Sequence, residues 1–242
     1  MQATTTEPLN GAQSALASVV LVDAAPVAPA ADGAAVRRRM RGAWKAVIDP
    51  LGAMAILTLV APLFVMLALL VAAQSGRPVF YGQKRWGQGG KVFTCWKFRT
   101  MTPDAAARLD ALLASDLAAR AEWETFAKIK NDPRITPIGR ILRRTSLDEL
   151  PQLWNVIVGD MALVGARPIA IGEENRWGAY FRYYLEERPG VTGPWQLAYR
   201  NSADYRRRLV LQRHYLASWT PWVDFKCLLR TLAVPFQGKN AF

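Results

Sequence analysis

One stretch, Pro50 through Gly76, sets the terms on which this chain can fold. It reads PLGAMAILTLVAPLFVMLALLVAAQSG and holds no charged side chain. As one helix, rising about 1.5 Å per residue, it spans the roughly 30 Å hydrocarbon core of a bilayer. Arg37, Arg38, Arg39, Arg41 and Lys45 precede it, and Arg77, Lys84 and Arg85 follow. Lys and Arg gather on the cytoplasmic side of membrane helices, so two basic flanks argue against two different sides. Pro62, near the midpoint, lacks a backbone donor and crowds the preceding turn, which bends a helix sharply. The pattern predicts a re-entrant membrane helix, broken at Pro62, that enters and leaves by one face. A kinked single-pass anchor is the commoner architecture, and the symmetry of the flanks weighs against it. The run starts too deep and is too long for the apolar core of a signal peptide.

The 242 residues carry a formal net charge of +12. Outside the tail and the apolar run, about one domain's worth of chain remains, enough for a real core. The charge fits anionic partners: lipid headgroups, nucleotide diphosphates or nucleic acid. No nucleic-acid motif accompanies it, so that partner is not expected. Cys95 and Cys227 lie far apart without metal-ligand spacing, which predicts no disulfide, no zinc site and a reducing compartment. His214 is the one histidine and falls in a predicted helix. The chemistry is left to carboxylates, basic groups and a bound metal.

Three regions follow. Residues 1–35, rich in Ala, Thr, Ser and Pro, read as a disordered tail. Residues 36–76 form a basic lead-in and the membrane helix, and residues 77–242 a cytosolic catalytic domain. The fold class is α+β, helix-dominated, with a few short strands. Pro78–Tyr81 and Val92–Phe98 read as strands around a turn signalled by Gly87, Gly89 and Gly90. A long helix is predicted from Pro103 to about Lys130, with Thr102 as its cap. Pro137–Arg144 reads as a basic helix, and Leu147, Leu150, Leu153, Trp154 and Ile157 mark the apolar face of another. Val158–Pro168 reads as loop, strand and loop, Glu173–Tyr184 as helix and Glu187–Gly193 as turn. Ala203–Leu216 and Pro221–Ala233 read as closing helices. Of nine tryptophans, Trp44, Trp219 and Trp222 are placed at a membrane interface, where such amphipathic rings collect.

The constellation that carries chemistry is SLDELPQ, Ser146–Gln152. Asp148 and Glu149 are adjacent carboxylates. Taken alone, Ser146 and Glu149 fit a capping box, with Asp148 favouring the helix dipole. The surroundings argue for more. Arg140, Arg143 and Arg144 precede the pair, Lys97 and Arg99 lie in WKFRTM, Asp160 in GDM, Arg167 in GARP and Arg200 in YRN. A cap does not call for so many basic motifs, whereas a phosphorylated anion does. A carboxylate among them can hold Mg²⁺ or attack phosphorus directly.

These motifs resemble the bacterial sugar transferases, the monotopic phosphoglycosyl transferases also called polyprenyl-phosphate hexose-1-phosphate transferases. The resemblance runs from about Arg41 to the C-terminus. It rests on the proline-broken apolar helix, PVFYGQKRWGQGGKVFTCWKFRTM, DPRITPIGRILRRTSLDELPQLWNVIVGDMALVGARP and RPGVTGPWQLAYRN. It implies a two-step transfer of a hexose-1-phosphate from a UDP-sugar to undecaprenyl phosphate. In it, Asp148 is the nucleophile and a Mg²⁺ ligand, and Glu149 its catalytic partner. Arg143 positions phosphate, and Lys97 and Arg99 lie near the dyad. Arg167 and Arg200 bind the nucleotide diphosphate or the intermediate, and Asp160 is structural or site-forming. The implied setting is the cytosolic face of the bacterial inner membrane, in contact with membrane lipid, and a homodimer is compatible with it.

The chain departs from the family pattern in places. Ala166 stands where many relatives have Pro, Tyr199-Arg200-Asn201 where many have Gly-Arg-Asn, and Pro194-Trp195-Gln196 where many have Trp-Ala-Gln. The GPWQ form and the GKNAF ending resemble the exopolysaccharide branch that begins a repeat unit with galactose, with glucose the next choice. A non-catalytic membrane adaptor is the competing reading; the intact dyad and the phosphate-binding motifs speak against it.

Overall fold

The computed structural model describes residues 31–126, 129, 132–178, 181–198, 211–212, 214–216 and 218–233. The apolar run forms two helices. Helix α1 (Ala31–Leu59) takes in Pro50, and α2 (Ala61–Ser75) carries Pro62 in its first turn. Between them only Val60 leaves the helical register, at φ −92° and ψ 5°. The basic lead-in and the first half of the apolar run are thus one continuous helix. That helix begins five residues inside the segment assigned to the tail. Met40–Leu59 is the one described helix long and apolar enough to cross a membrane. At about 1.5 Å per residue, α2 alone is too short for a core of about 30 Å.

Both helices pack on the same domain. Ala53 of α1 is buried with Phe93, Cys95, Leu153, Val156, Met161 and Leu163, and Ile56 and Leu57 pack beside it. Leu67 and Val71 of α2 are buried with Phe98 and Leu142. Charged contacts tie down the start of the run: Arg41 pairs with Glu187, and Lys45 Nζ sits 2.7 Å from Asp224 Oδ2. At the far end, Gln74 Oε1 accepts from the Ile138 backbone N–H at 2.8 Å. The outward faces stay apolar, with Leu51, Met54, Leu59, Val65, Met66, Leu69 and Leu70 exposed.

Beyond the helices, strands β1 (Phe80–Trp86) and β2 (Val92–Phe98) form an antiparallel hairpin. Its turn uses Gly89 and Gly90, both at positive φ. Strand β1 runs past the predicted PVFY segment into QKRW and takes β4 (Ile169–Ala170) on its other edge. The register sets Tyr81 against Lys97, Gln83 against Cys95 and Arg85 against Phe93. Because successive residues alternate faces, these six share one side of the hairpin.

The expected long helix is instead two, α3 (Ala105–Ser115) and α4 (Leu117–Phe126). Asp116 divides them: its Oδ1 accepts from the backbone N–H groups of Ala118 and Ala119, capping α4. Helix α5 (Pro137–Thr145) starts at Thr136, whose hydroxyl accepts from Gly139 N–H, and ends at Ser146 in the left-handed region. A 3₁₀ turn (Leu147–Glu149) follows, and then α6 (Gln152–Ile157). Strand β3 (Ala162–Val164) pairs in parallel with β5 (Gly190–Thr192). Two expectations are corrected here. Part of the Glu187–Gly193 turn is a strand, because Gly190 and Thr192 align with Ala162 and Val164. In the Glu173–Tyr184 stretch, predicted as one helix, the described residues form a 3₁₀ turn at Glu174–Arg176 and helix α7 (Phe181–Tyr184). Helix α8 (Pro194–Ala198) and a helical segment through 211–212, 214–216 and 218 lead to α9 (Pro221–Thr231), capped by Thr220 as its sequence predicts.

Candidate active site

The dyad owes its position to the two leucines that bracket it. A 3₁₀ turn stacks residues three apart, so Leu147 and Leu150 point the same way. Both pack against the Phe98 and Leu142 cluster. Asp148 and Glu149 are thereby turned toward the hairpin face that carries Lys97. Ser146 makes the turn possible with φ 61° and makes no side-chain cap hydrogen bond. The capping-box alternative therefore does not form. Glu149 turns its carboxylate to Lys97, whose Nζ donates to Oε1 at 2.6 Å.

Lys97 Nζ also lies 3.6 Å from Asp148 Oδ2, and Arg167 comes within 3.8 Å of the same Glu149 oxygen. One lysine thus bridges both carboxylates, and Arg167, partly exposed, closes the outer side. Arg143, in the last turn of α5, faces Asp148 from further off. Its Nε donates to Thr100 Oγ1 at 2.8 Å. Asp148 is buried and makes no side-chain hydrogen bond among the described residues. Burial raises its pKa above the ordinary aspartate value. Lys97 opposes that rise, Glu149 adds to it, and Arg143 and Arg167 oppose it. A carboxylate so placed is held at energetic cost until something shares its charge.

The remaining predicted residues fall elsewhere. Arg99 Nη1 reaches the Arg77 carbonyl at 3.5 Å, at the join between the helices and the hairpin. Asp160 accepts weakly from Asn155 Nδ2 at 3.4 Å and caps the end of α6. Arg200 lies outside the described residues. Of the interface tryptophans, Trp44 and Trp222 are exposed, but Trp219 turns inward and donates to Asp224 Oδ2 at 3.0 Å. Cys95, across the strand from Gln83, has its thiol pushed up to about 11 by burial, which keeps it protonated and out of the chemistry.

Two residues that the motif reading passed over hold the site together. Asn155 is buried in α6 and grips the β2 backbone on both sides of Cys95. Its Nδ2 donates to Thr94 O at 2.8 Å, and its Oδ1 accepts from Trp96 N–H at 3.1 Å. This fixes the helix that follows the dyad to the strand that carries Lys97. Its only signal in the sequence is a lone amide among the apolar residues of LWNVI. Thr100, just past the end of β2, is the other.

Mg²⁺ takes oxygen ligands, often one or two carboxylates completed by phosphates and water. Asp148, with no hydrogen bond of its own among the described residues, suits that role, and Glu149 lies beside it. No group of three or more metal-ligating side chains occurs among the described residues. Asp148 and Glu149 are the two carboxylates of this site that could hold such an ion.

A profile of the family described as bacterial sugar transferase matches residues 40–238. The chain is 45% identical over 198 residues to the undecaprenyl-phosphate galactose phosphotransferase of Salmonella typhimurium, covering 82% of this chain and 41% of that protein. It is 42% identical over 198 residues to the UDP-galactose-lipid carrier transferase of Erwinia amylovora, with the same coverage. To the exopolysaccharide production protein ExoY of Sinorhizobium fredii it is 39% identical over 205 residues, 85% of this chain and 91% of the relative. The chain spans about two fifths of the length of the first two relatives.

Proposed function

The chain belongs to the bacterial sugar transferase family, and from that premise we propose that it is a phosphoglycosyl transferase. Its donor is a UDP-hexose, galactose before glucose, and its acceptor is undecaprenyl phosphate. The product begins a repeat unit of an exopolysaccharide. The observation that carries this reading is Asp148: buried, raised in pKa, without a side-chain hydrogen bond among the described residues, and set among Lys97, Arg143 and Arg167. The names of the relatives supply the substrate class.

In the first step a carboxylate oxygen of Asp148 forms a bond to the β-phosphorus of the UDP-sugar. The bond from that phosphorus to the bridging oxygen breaks, and UMP leaves with the electron pair. In the second, an oxygen of the polyprenyl phosphate attacks the same phosphorus and releases Asp148. Two anions must meet in each step. Lys97, Arg143 and Arg167 offset that repulsion and stabilise charge on the equatorial oxygens. Mg²⁺, held by Asp148 and completed by the diphosphate, would supply further neutralisation. Glu149 holds Lys97 aligned between the two carboxylates.

The helix pair is assigned to one face of the cytoplasmic membrane, with the domain in the cytosol. Supporting this, residues at both ends of the apolar run, Arg41 and Lys45 at one and Gln74 at the other, contact the same domain. Val60 and Pro62 mark the bend. Single cysteines placed beside Arg41 and beside Arg77 should label from the same side of sealed vesicles; labelling from opposite sides overturns the arrangement.

The function is tested by UMP release from UDP-galactose, UDP-glucose and related donors, with purified protein, Mg²⁺ and undecaprenyl phosphate. Release with one donor, lost in Asp148→Asn, is the expected outcome. Release undiminished in the variant removes Asp148 as nucleophile, and no release from any donor removes the activity.

A further inference from the structure

We propose that Thr100 is a positioning residue for phosphoryl transfer, acting through Arg143; the inference rests on the function proposed above. A guanidinium has five N–H donors in a rigid planar fork. Arg143 commits its Nε to Thr100 Oγ1 at 2.8 Å. That bond does not use the two terminal nitrogens, the pair that grips a phosphate bidentately, and Asp148 is the carboxylate whose charge acts most on Arg143.

The backbone around Thr100 explains why the hydroxyl sits where it does. Thr100 is buried, and its carbonyl accepts from Thr136 N–H at 3.0 Å. Helix α5 begins against that carbonyl. Gly139 lies so close that a Cβ there would stand 2.0 Å from Thr100 O. Arg143 follows Gly139 by four residues, so both lie on one face of α5. One residue just past β2 thus meets this helix twice, through its carbonyl at the first turn and its hydroxyl at the last. Lys97 comes from β2 itself, three residues before Thr100. The two cations that face Asp148 from the hairpin and from α5 are therefore set in one frame. Behind Thr100, the buried Asp132–Arg134 pair, 2.6 Å between Oδ2 and Nη2, braces the segment, with Arg134 O accepting from Thr102 N–H.

Burial also lowers the pKa of Arg143, so this cation is held against a desolvation cost. Without the threonine hydroxyl its Nε would lose a partner in that setting and the side chain would seek another rotamer. The positive charge would survive; its aim would not. The expected signature is a loss in turnover more than in donor binding.

The test uses the full-length protein and initial rates of UMP release, with Thr100→Val, Thr100→Ser, Arg143→Ala and the double variant Thr100→Val/Arg143→Ala. Thr100→Val keeps the shape and removes the hydroxyl. It should lower kcat by about 10- to 100-fold, the range for one lost hydrogen bond to a charged group, with a smaller change in KM. Thr100→Ser should restore most of the rate. In the Arg143→Ala background Thr100→Val should change nothing further. A Thr100→Val rate within twofold of wild type overturns the proposal. So do losses that multiply in the double variant, which would mean Thr100 acts apart from Arg143. Should Thr100→Val lower the melting temperature, the cycle still decides, because a purely structural defect carries into the Arg143→Ala background. A wild-type protein inactive on every donor would refute the function itself, a different outcome from either.

Discussion

The Asp224 cluster at the base of α1 and the Asp148 dyad both bury a carboxylate with a cation, and they are built to opposite ends. At the base of α1, Asp224 is fully engaged. Its Oδ2 meets Lys45 Nζ at 2.7 Å and Trp219 Nε1 at 3.0 Å, and its Oδ1 accepts from the Tyr215 hydroxyl at 2.6 Å. At the dyad, Asp148 has Lys97 at 3.6 Å and no side-chain hydrogen bond among the described residues. Both lie out of water. The first cluster is a fastener, joining α1 to α9 and the core. The second holds charge in readiness, stabilised only in part by its neighbours. Buried ionic groups gain stability only when hydrogen bonds complete them. Asp224 is thus completed by hydrogen bonds, while Asp148, like Asp49 Oδ2 beside Lys45, is not.

Substitution at each cluster should separate chemistry from stability. Asp148→Asn should cut UMP release by about 10³-fold or more, the scale for removal of a nucleophile. Its folding and membrane retention should survive, as sedimentation with membranes and circular dichroism would show. Asp224→Ala should do the reverse. Leaving buried Lys45 with only Asp49, 3.7 Å away, is expected to cost about 1–3 kcal/mol in stability, read by denaturant melts in detergent. Activity per folded molecule should stay near wild type. Should Asp224→Ala abolish turnover in protein that remains folded, the contrast between fastener and reactive cluster breaks.

Between them in size lies the join that sets Arg143. Gly139→Ala would press a methyl group into Thr100 O, backbone against backbone. Overpacking of that kind costs about 1–3 kcal/mol. Because the same contact aims Arg143, turnover should fall further than stability predicts. Equal, proportionate losses would mean that α5 merely packs there.

Much of this was legible in the sequence because it rests on local chemistry. The apolar run, the hairpin glycines, Thr136 and Thr220 before Pro137 and Pro221, and the dyad beside basic motifs all act over a few residues. What stayed hidden depends on contacts across the chain. Asp116 reads as one more polar residue in a helical stretch until its carboxylate caps α4. Gly190 and Thr192 read as turn because a three-residue strand exists only through its partner, Ala162–Val164. Ser146 and Glu149 satisfy a capping pattern, yet Lys97, 52 residues from Glu149, outcompetes the local backbone for its carboxylate. Asn155 and Thr100 carry no motif; each matters for what lies opposite it in space. Likewise Arg99 and Lys97 sit two apart in WKFRTM, but β2 ends between them and only Lys97 reaches the dyad.

The smallest effect gives the sharpest view of the reactive cluster. The folded-state pKa of Asp148 is raised, so the folded protein binds a proton more tightly there than the unfolded chain does. The sign follows from linkage. Stability from this residue is full below the ordinary aspartate pKa and declines as pH rises toward the raised value, above which the penalty is constant. Asp148→Asn removes the titration. At neutral pH the variant should therefore melt slightly higher than wild type. The gap should close as pH falls through the ordinary aspartate range, as parallel melts across pH would show. Mg²⁺ with a UDP-sugar should narrow it from the other side by sharing the charge on Asp148. Asp224 offers the control: Asp224→Asn weakens its contacts with Lys45, Trp219 and Tyr215 and should lower the melting temperature at neutral pH. If both asparagine variants lose stability there, Asp148 belongs with the fasteners and the distinction between the two clusters fails.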